Sequence, residues 1–134
     1  MADSPCTWRY MKPMMKITNR TGSPAAVRKV KSWYSGCLSS HEQCLQGTHS
    51  RLPTRIIRIE GLERVRLHIS SDESAEYACL SYCWGGSAVI KTTASNLEQY
   101  TTGIPWDELP QTFQDAIQLT HNLGIHYLWI DSLC

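Results

Sequence analysis

The chain has 134 residues, 42% of them hydrophobic and 19% charged, and a formal net charge of +1. That length and composition suit one domain with a packed core, and the near-balanced charge gives no electrostatic case for nucleic-acid binding. No apolar run approaches the ~20 residues that span a bilayer, and no apolar leader follows the first methionine, so the six cysteines are expected as thiols in a reducing cytoplasm rather than as a disulfide framework.

Residues 1–23 read as an irregular basic arm. Pro5, Pro13 and Thr21-Gly22-Ser23 interrupt any periodicity, and Arg9, Lys12, Lys16, Arg20, Arg28, Lys29 and Lys31 face only Asp3 across the first 31 residues. A solvated arm is the simpler reading, and a membrane or nucleic-acid contact is the alternative. Residues 24–50 read as a helical lead-in. Ser23 can cap a helix whose first position is Pro24. Val27, Val30, Tyr34, Cys37, Leu38, His41 and Leu45 then recur at helical spacing, predicting a helix over about 25–45, loosened at Gly36 and ended by Gly47. Cys37, His41 and Cys44 fall on one face of that helix. All three are metal-ligand types, but a structural zinc takes four ligands, and neither His49 nor Cys6 completes a standard spacing. A packed cysteine face with a surface histidine is the favoured reading, and a metal site the lesser one.

The remainder, 51–134, is expected to be an α/β unit. Arg55–Ile59 and Val65–Ile69 are β-rich runs around Gly61, which predicts a hairpin. In the second run Val65, Leu67 and Ile69 alternate with Arg66 and His68, giving one buried and one wet face. Tyr77–Tyr82 is a compact apolar run expected as a buried strand. After a long connection comes the strongest helical pattern, with Thr112 as N-cap, Asp115 close to a capping box, and an apolar stripe of Phe113, Ala116, Ile117, Thr120 and Leu123. Gly124 supplies the stop. Tyr127–Ile130 is a second buried strand.

Strand, helix and strand over 77–131 predict a right-handed βαβ unit. Its two strands end beside each other, where open α/β sheets bind ligands. The candidate functional rim is therefore Ser81, Tyr82, Trp84, Gly85, Gly86 and Asp131, with Ser132 adjacent. Gly85-Gly86 permits close backbone approach or simply ends the strand. Trp84 could stack on a flat ligand or fill core. Asp131, following four apolar residues, must be solvated, hydrogen-bonded or paired; it could cap a helix or bind a hydroxyl. Cys83 and Cys134 could act as nucleophiles only with His121 or His126 nearby as base. No hydrolase elbow, P-loop, dinucleotide fingerprint or zinc-protease motif is present.

Three blocks carry a family resemblance. Tyr77-Ala78-Cys79-Leu80-Ser81-Tyr82-Cys83-Trp84-Gly85 is similar to the first block of the fungal heterokaryon-incompatibility (HET) domain. Ile104-Pro105-Trp106 with Leu109-Pro110-Gln111-Thr112-Phe113-Gln114-Asp115-Ala116-Ile117 resembles the second, and Leu123 through Cys134 the third. Together they cover 77–134, and Leu52-Pro53-Thr54-Arg55 resembles the usual lead-in. In that family the third block runs on through an Ile-x-Gln-Asp stretch and a long tail, so the chain is expected to hold an N-terminal fragment, with an incomplete domain over 51–134. The resemblance implies a partial Toll/interleukin-receptor (TIR)-like, flavodoxin-like parallel sheet. It implies non-self recognition and cell death signalling through self-association or protein partners, and the charge and hydropathy add the expectation of no nucleic acid and no membrane span. It also leaves open NAD as a ligand or substrate, because some TIR-like domains cleave NAD with a glutamate. Glu76, Glu98 and Glu108 belong to no matching motif, so no catalytic residue is assigned. An inactive fragment is the remaining alternative.

Overall fold

Two short runs of β-branched and aliphatic residues fold back on each other at the centre of the protein. In the computed structural model, which describes residues 22–45, 50–85 and 90–134, these are β2 (Arg55–Gly61) and β3 (Arg64–Ile69). They pair antiparallel, with Ile57 opposite Leu67 and Ile59 opposite Val65, and the register shifts between Ile59 and Gly61. The extra residue is Glu60, whose carboxylate accepts a hydrogen bond from Arg66 Nε at 2.9 Å. The expected hairpin is present. The alternation in β3 holds for Val65 and Leu67, which are buried, but Ile69 is 47% exposed. It ends a strand at the edge of the sheet, where its side chain is only partly covered.

The main sheet runs β3-β2-β6-β5. Strand β5 (Ala78–Leu80) lies parallel to β6 (Tyr127–Ile130), with Ala78 opposite Leu128 and Leu80 opposite Ile130. The helix α4 (Gln111–Leu123) connects them, so the expected βαβ unit forms and the fold is mixed α/β. Strand β2 joins β6 from the other side, antiparallel. β5 is shorter and less buried than the apolar run suggests: Ala78 and Leu80 are half-buried and Cys79 is exposed, because the strand occupies the second edge. A two-stranded ladder of β1 (Ser50–Arg51) and β4 (Ser74–Ala75) closes the loop around the hairpin.

Phe113 and Ile117 of α4 pack into a cluster with Ile57, Ile59, Leu67, Leu128, Ile130 and Leu133. Each such side chain contributes on the order of 2 kcal/mol when taken fully out of water. The connection between β5 and α4 holds α3 (Leu97–Thr102) and a 3-10 turn at Trp106–Glu108. Tyr100, Ile104 and Leu109 from this connection complete the core, and Ile104 N donates to Val65 O at 2.9 Å.

The start of α4 differs from the expected cap. Thr112 sits exposed inside the first turn, and Pro110 occupies the cap position with no side-chain cap bond. Pro110 O accepts from the backbone N of Phe113 and Gln114, and Gln114 Nε2 reaches back to the carbonyls of Trp106 and Leu109 at 3.0 Å each. Asp115 accepts from Gln111 Nε2 at 2.7 Å instead of closing a capping box. Gly124 ends the helix as expected, with φ 87°.

The lead-in forms α1 (Pro24–Ser40), with Ser23 Oγ accepting from Ala26 N at 3.2 Å. The break comes at His41, not at Gly36, and a single turn, α2 (Glu42–Leu45), follows. No residue of α1 is buried. Most of the expected basic arm (1–21), together with Cys6, Gly47, His49 and Gly86, lies outside the described residues.

Candidate functional site

Because β5 and β6 are parallel, the segments leaving them emerge on the same edge. Ser81–Gly85 follows one strand and Asp131–Cys134 the other. Two side-chain hydrogen bonds join them. Tyr82 OH donates to Ser132 Oγ at 3.1 Å, and Trp84 Nε1 donates to Asp131 Oδ2 at 2.8 Å. The structure thus brings together Tyr82, Trp84, Asp131 and Ser132. Ser81 and Gly85 are exposed on the same turn, and Gly85 has φ +65°, a left-handed conformation that a side chain disfavours.

The two pairs differ in setting. The Tyr82 ring is half-buried and meets Phe113 edge-on, with centroids 5.0 Å apart and planes at 82°. Burial pushes its phenol pKa up; the bond to Ser132 opposes that shift and the Asp131 charge adds to it. Trp84 is 49% exposed, so Asp131 fixes a ring whose face stays in water. Asp131 is itself exposed, and its indole bond gives the strand-end carboxylate a partner while leaving acceptor capacity free.

Thr92, absent from the sequence expectation, and Ser132, expected beside the rim, complete the edge. Thr92 N donates to Ser132 O at 3.0 Å and Thr92 Oγ1 to Leu133 O at 2.6 Å, which ties the Asp131–Cys134 turn to the segment after the rim. Ser132 is buried, and its hydroxyl accepts the hydrogen bond from Tyr82 OH. A lone Thr carries no distinctive spacing, so only the fold reveals the role of Thr92.

For Cys134 the nucleophile reading does not survive the topology. His121 lies in the last turn of α4 and His126 directly before β6, whereas Cys134 follows that strand. A four-residue strand at ~3.3 Å per residue keeps them apart. Burial also pushes the Cys134 thiol up to about 11, which leaves it protonated at neutral pH. The three glutamates are dispersed. Glu98 and Glu108 are exposed on α3 and the 3-10 turn, and Glu76 lines a cavity of about 640 Å³ between α1 and β5.

That cavity is also lined by Cys37 and Cys44. Their Sγ atoms are 3.0 Å apart, and His41 Nδ1 lies 3.4 Å from Cys37 Sγ. His41 is exposed and both thiols are half-buried, so this face is less packed than the sequence suggests.

No helix among the described residues is long and apolar enough to cross a membrane. No curated protein and no solved structure matches the chain. Residues 77–134 match the family described as Heterokaryon incompatibility protein (HET), a span that takes in both sides of the rim and the helix between them. Over that span the chain is similar to the heterokaryon incompatibility family.

Proposed function

We propose that this protein acts in the cytoplasm of a filamentous fungus as a non-self recognition protein, triggering cell death through a partner or a second copy that docks on the Trp84–Asp131 rim. The β5-α4-β6 unit is read as part of a TIR-like sandwich whose strand ends form the contact surface. The observation that carries the proposal is the indole–carboxylate bond, which joins residues 47 positions apart within the family match. It holds an aromatic face in solvent at a fixed angle, and half-exposed tryptophans on rigid supports are common energetic anchors of interfaces.

The test is inducible expression of the full chain in a fungal host, scored by growth arrest and vital-dye uptake. The wild type should kill. Asp131→Ala at equal protein abundance should abolish killing and recovery of the bound partner together. Undiminished killing by that variant would reduce the rim to a structural role, and NAD depletion ahead of death would favour an NAD-cleaving activity over docking.

A further inference from the structure

Outside the family match, one group of side chains has a geometry that helix formation alone does not produce. In an unbroken helix, residues seven apart are separated by about 10.5 Å along the axis. Cys37 and Cys44 have that spacing, yet their sulfurs touch at 3.0 Å. They meet because α1 stops at Ser40 and α2 starts at Glu42, with His41 between them in an extended conformation, φ −119° and ψ 107°. The residue at the corner is also the third ligand type. The donor atoms of Cys37, His41 and Cys44 all lie within 4.8 Å of one another.

We infer that the α1–α2 corner is a zinc site, with Cys37 Sγ, Cys44 Sγ and His41 Nδ1 as ligands and water at the fourth position. Zinc binds thiolate at about 2.3 Å and imidazole at about 2.0–2.1 Å, so ligands of one ion lie within roughly 4.6 Å of each other, as these nearly do already. Loading moves the sulfurs apart, from 3.0 Å to the roughly 3.7 Å of a tetrahedral pair. A one-turn α2 accommodates that movement easily. Each thiol releases its proton on binding, and the ion neutralises the thiolates.

Packing leaves the side chains of the corner free to serve a ligand. No residue of α1 is buried, so the hydrophobic core does not impose the corner. Backbone bonds from His41 N to Cys37 O at 3.1 Å and from Cys44 N to His41 O at 3.0 Å close the corner; the thiol–thiol and thiol–imidazole contacts add only weak hydrogen bonds, whereas a metal ion would hold the three side chains together. Cys37 and Cys44 line the same cavity as Tyr77, Ala78 and Cys79, so a metal here fastens the lead-in beside the first strand of the family match. This inference is independent of the rim.

The test uses the full chain without a histidine tag, purified under reducing conditions. Elemental analysis should find stoichiometric zinc, and cobalt exchanged into the protein should give a thiolate-to-cobalt charge-transfer band. Cys37→Ser and Cys44→Ser should each lose the metal and the band. His41→Ala should weaken retention against a chelator by at least about tenfold, the lower bound even for an outer-shell change. Cys83→Ser should retain both signals. Failure of the reduced wild type to take up zinc or cobalt overturns the site, as does a band that survives in the Cys37→Ser/Cys44→Ser double variant. A Cys37–Cys44 disulfide in protein trapped directly from reducing cytosol would also overturn it.

Discussion

The rim and the α1–α2 corner each gather polar side chains from places that sequence spacing alone would not join, but they rest on different supports. Tyr82 is anchored on Phe113, and Ser132 and Leu133 are buried beside the core, so the rim inherits its geometry from the sheet and α4. The corner belongs to a helix with no buried residue and takes its geometry from Cys37, His41 and Cys44 themselves. Where a core exists, ordinary packing positions functional groups. Where it does not, the ligating groups must supply the positioning.

This contrast can be broken most forcefully from the core. Ile117→Ala opens a cavity under the sheet and should cost about 3–4 kcal/mol in denaturant unfolding, blunting the rim while leaving the corner's metal affinity unchanged. Trp84→Phe keeps an aromatic ring but removes the Asp131 bond. It should cost about 1 kcal/mol or less and speed amide exchange only around Ser81–Gly85. Cys37→Ser should shift unfolding of the sheet by less than about 0.5 kcal/mol, yet raise amide exchange throughout α1. A global loss of stability in that variant would show that the corner and the sheet unfold as one.

The smallest effect lies on the far side of the hairpin. Hydrogen bonding from Arg66, opposed by partial desolvation and helped by the nearby arginine charges, holds Glu60 below the usual carboxylate range, and a hydrogen bond from His68 does the same for Glu73. A lowered folded-state pKa means that these contacts stabilise the fold above the ordinary carboxylate pKa and are lost as pH falls through the folded values. Glu60→Gln should therefore lower stability slightly at neutral pH, flatten the acid limb of a stability–pH profile, and converge with the wild type at low pH.

Much of this architecture is legible in the residues. Two apolar runs around an amphipathic helix specify β5, α4 and β6, and their parallel pairing places Tyr82 and Trp84 beside Asp131 and Ser132. What escapes sequence reading depends on neighbours. An apolar run does not declare which strand is an edge, so Cys79 and Ile69 are more exposed than their periodicity implies. The break at His41 carries no proline or glycine, while Gly36, the obvious weak point, stays helical. Gln114 caps carbonyls five and eight residues upstream with its side chain, a role no short motif encodes. Thr92 matters only because the chain returns to meet it.

The long separations across the rim also fix an order of events. The hairpin closes over a few residues, whereas the Trp84–Asp131 and Tyr82–Ser132 bonds span 47 and 50 positions. The entropy of closing so large a loop must be met before those bonds can form. During synthesis, β5 and the indole therefore wait without their partners until β6 and Asp131 have left the ribosome, so the rim forms after the hairpin.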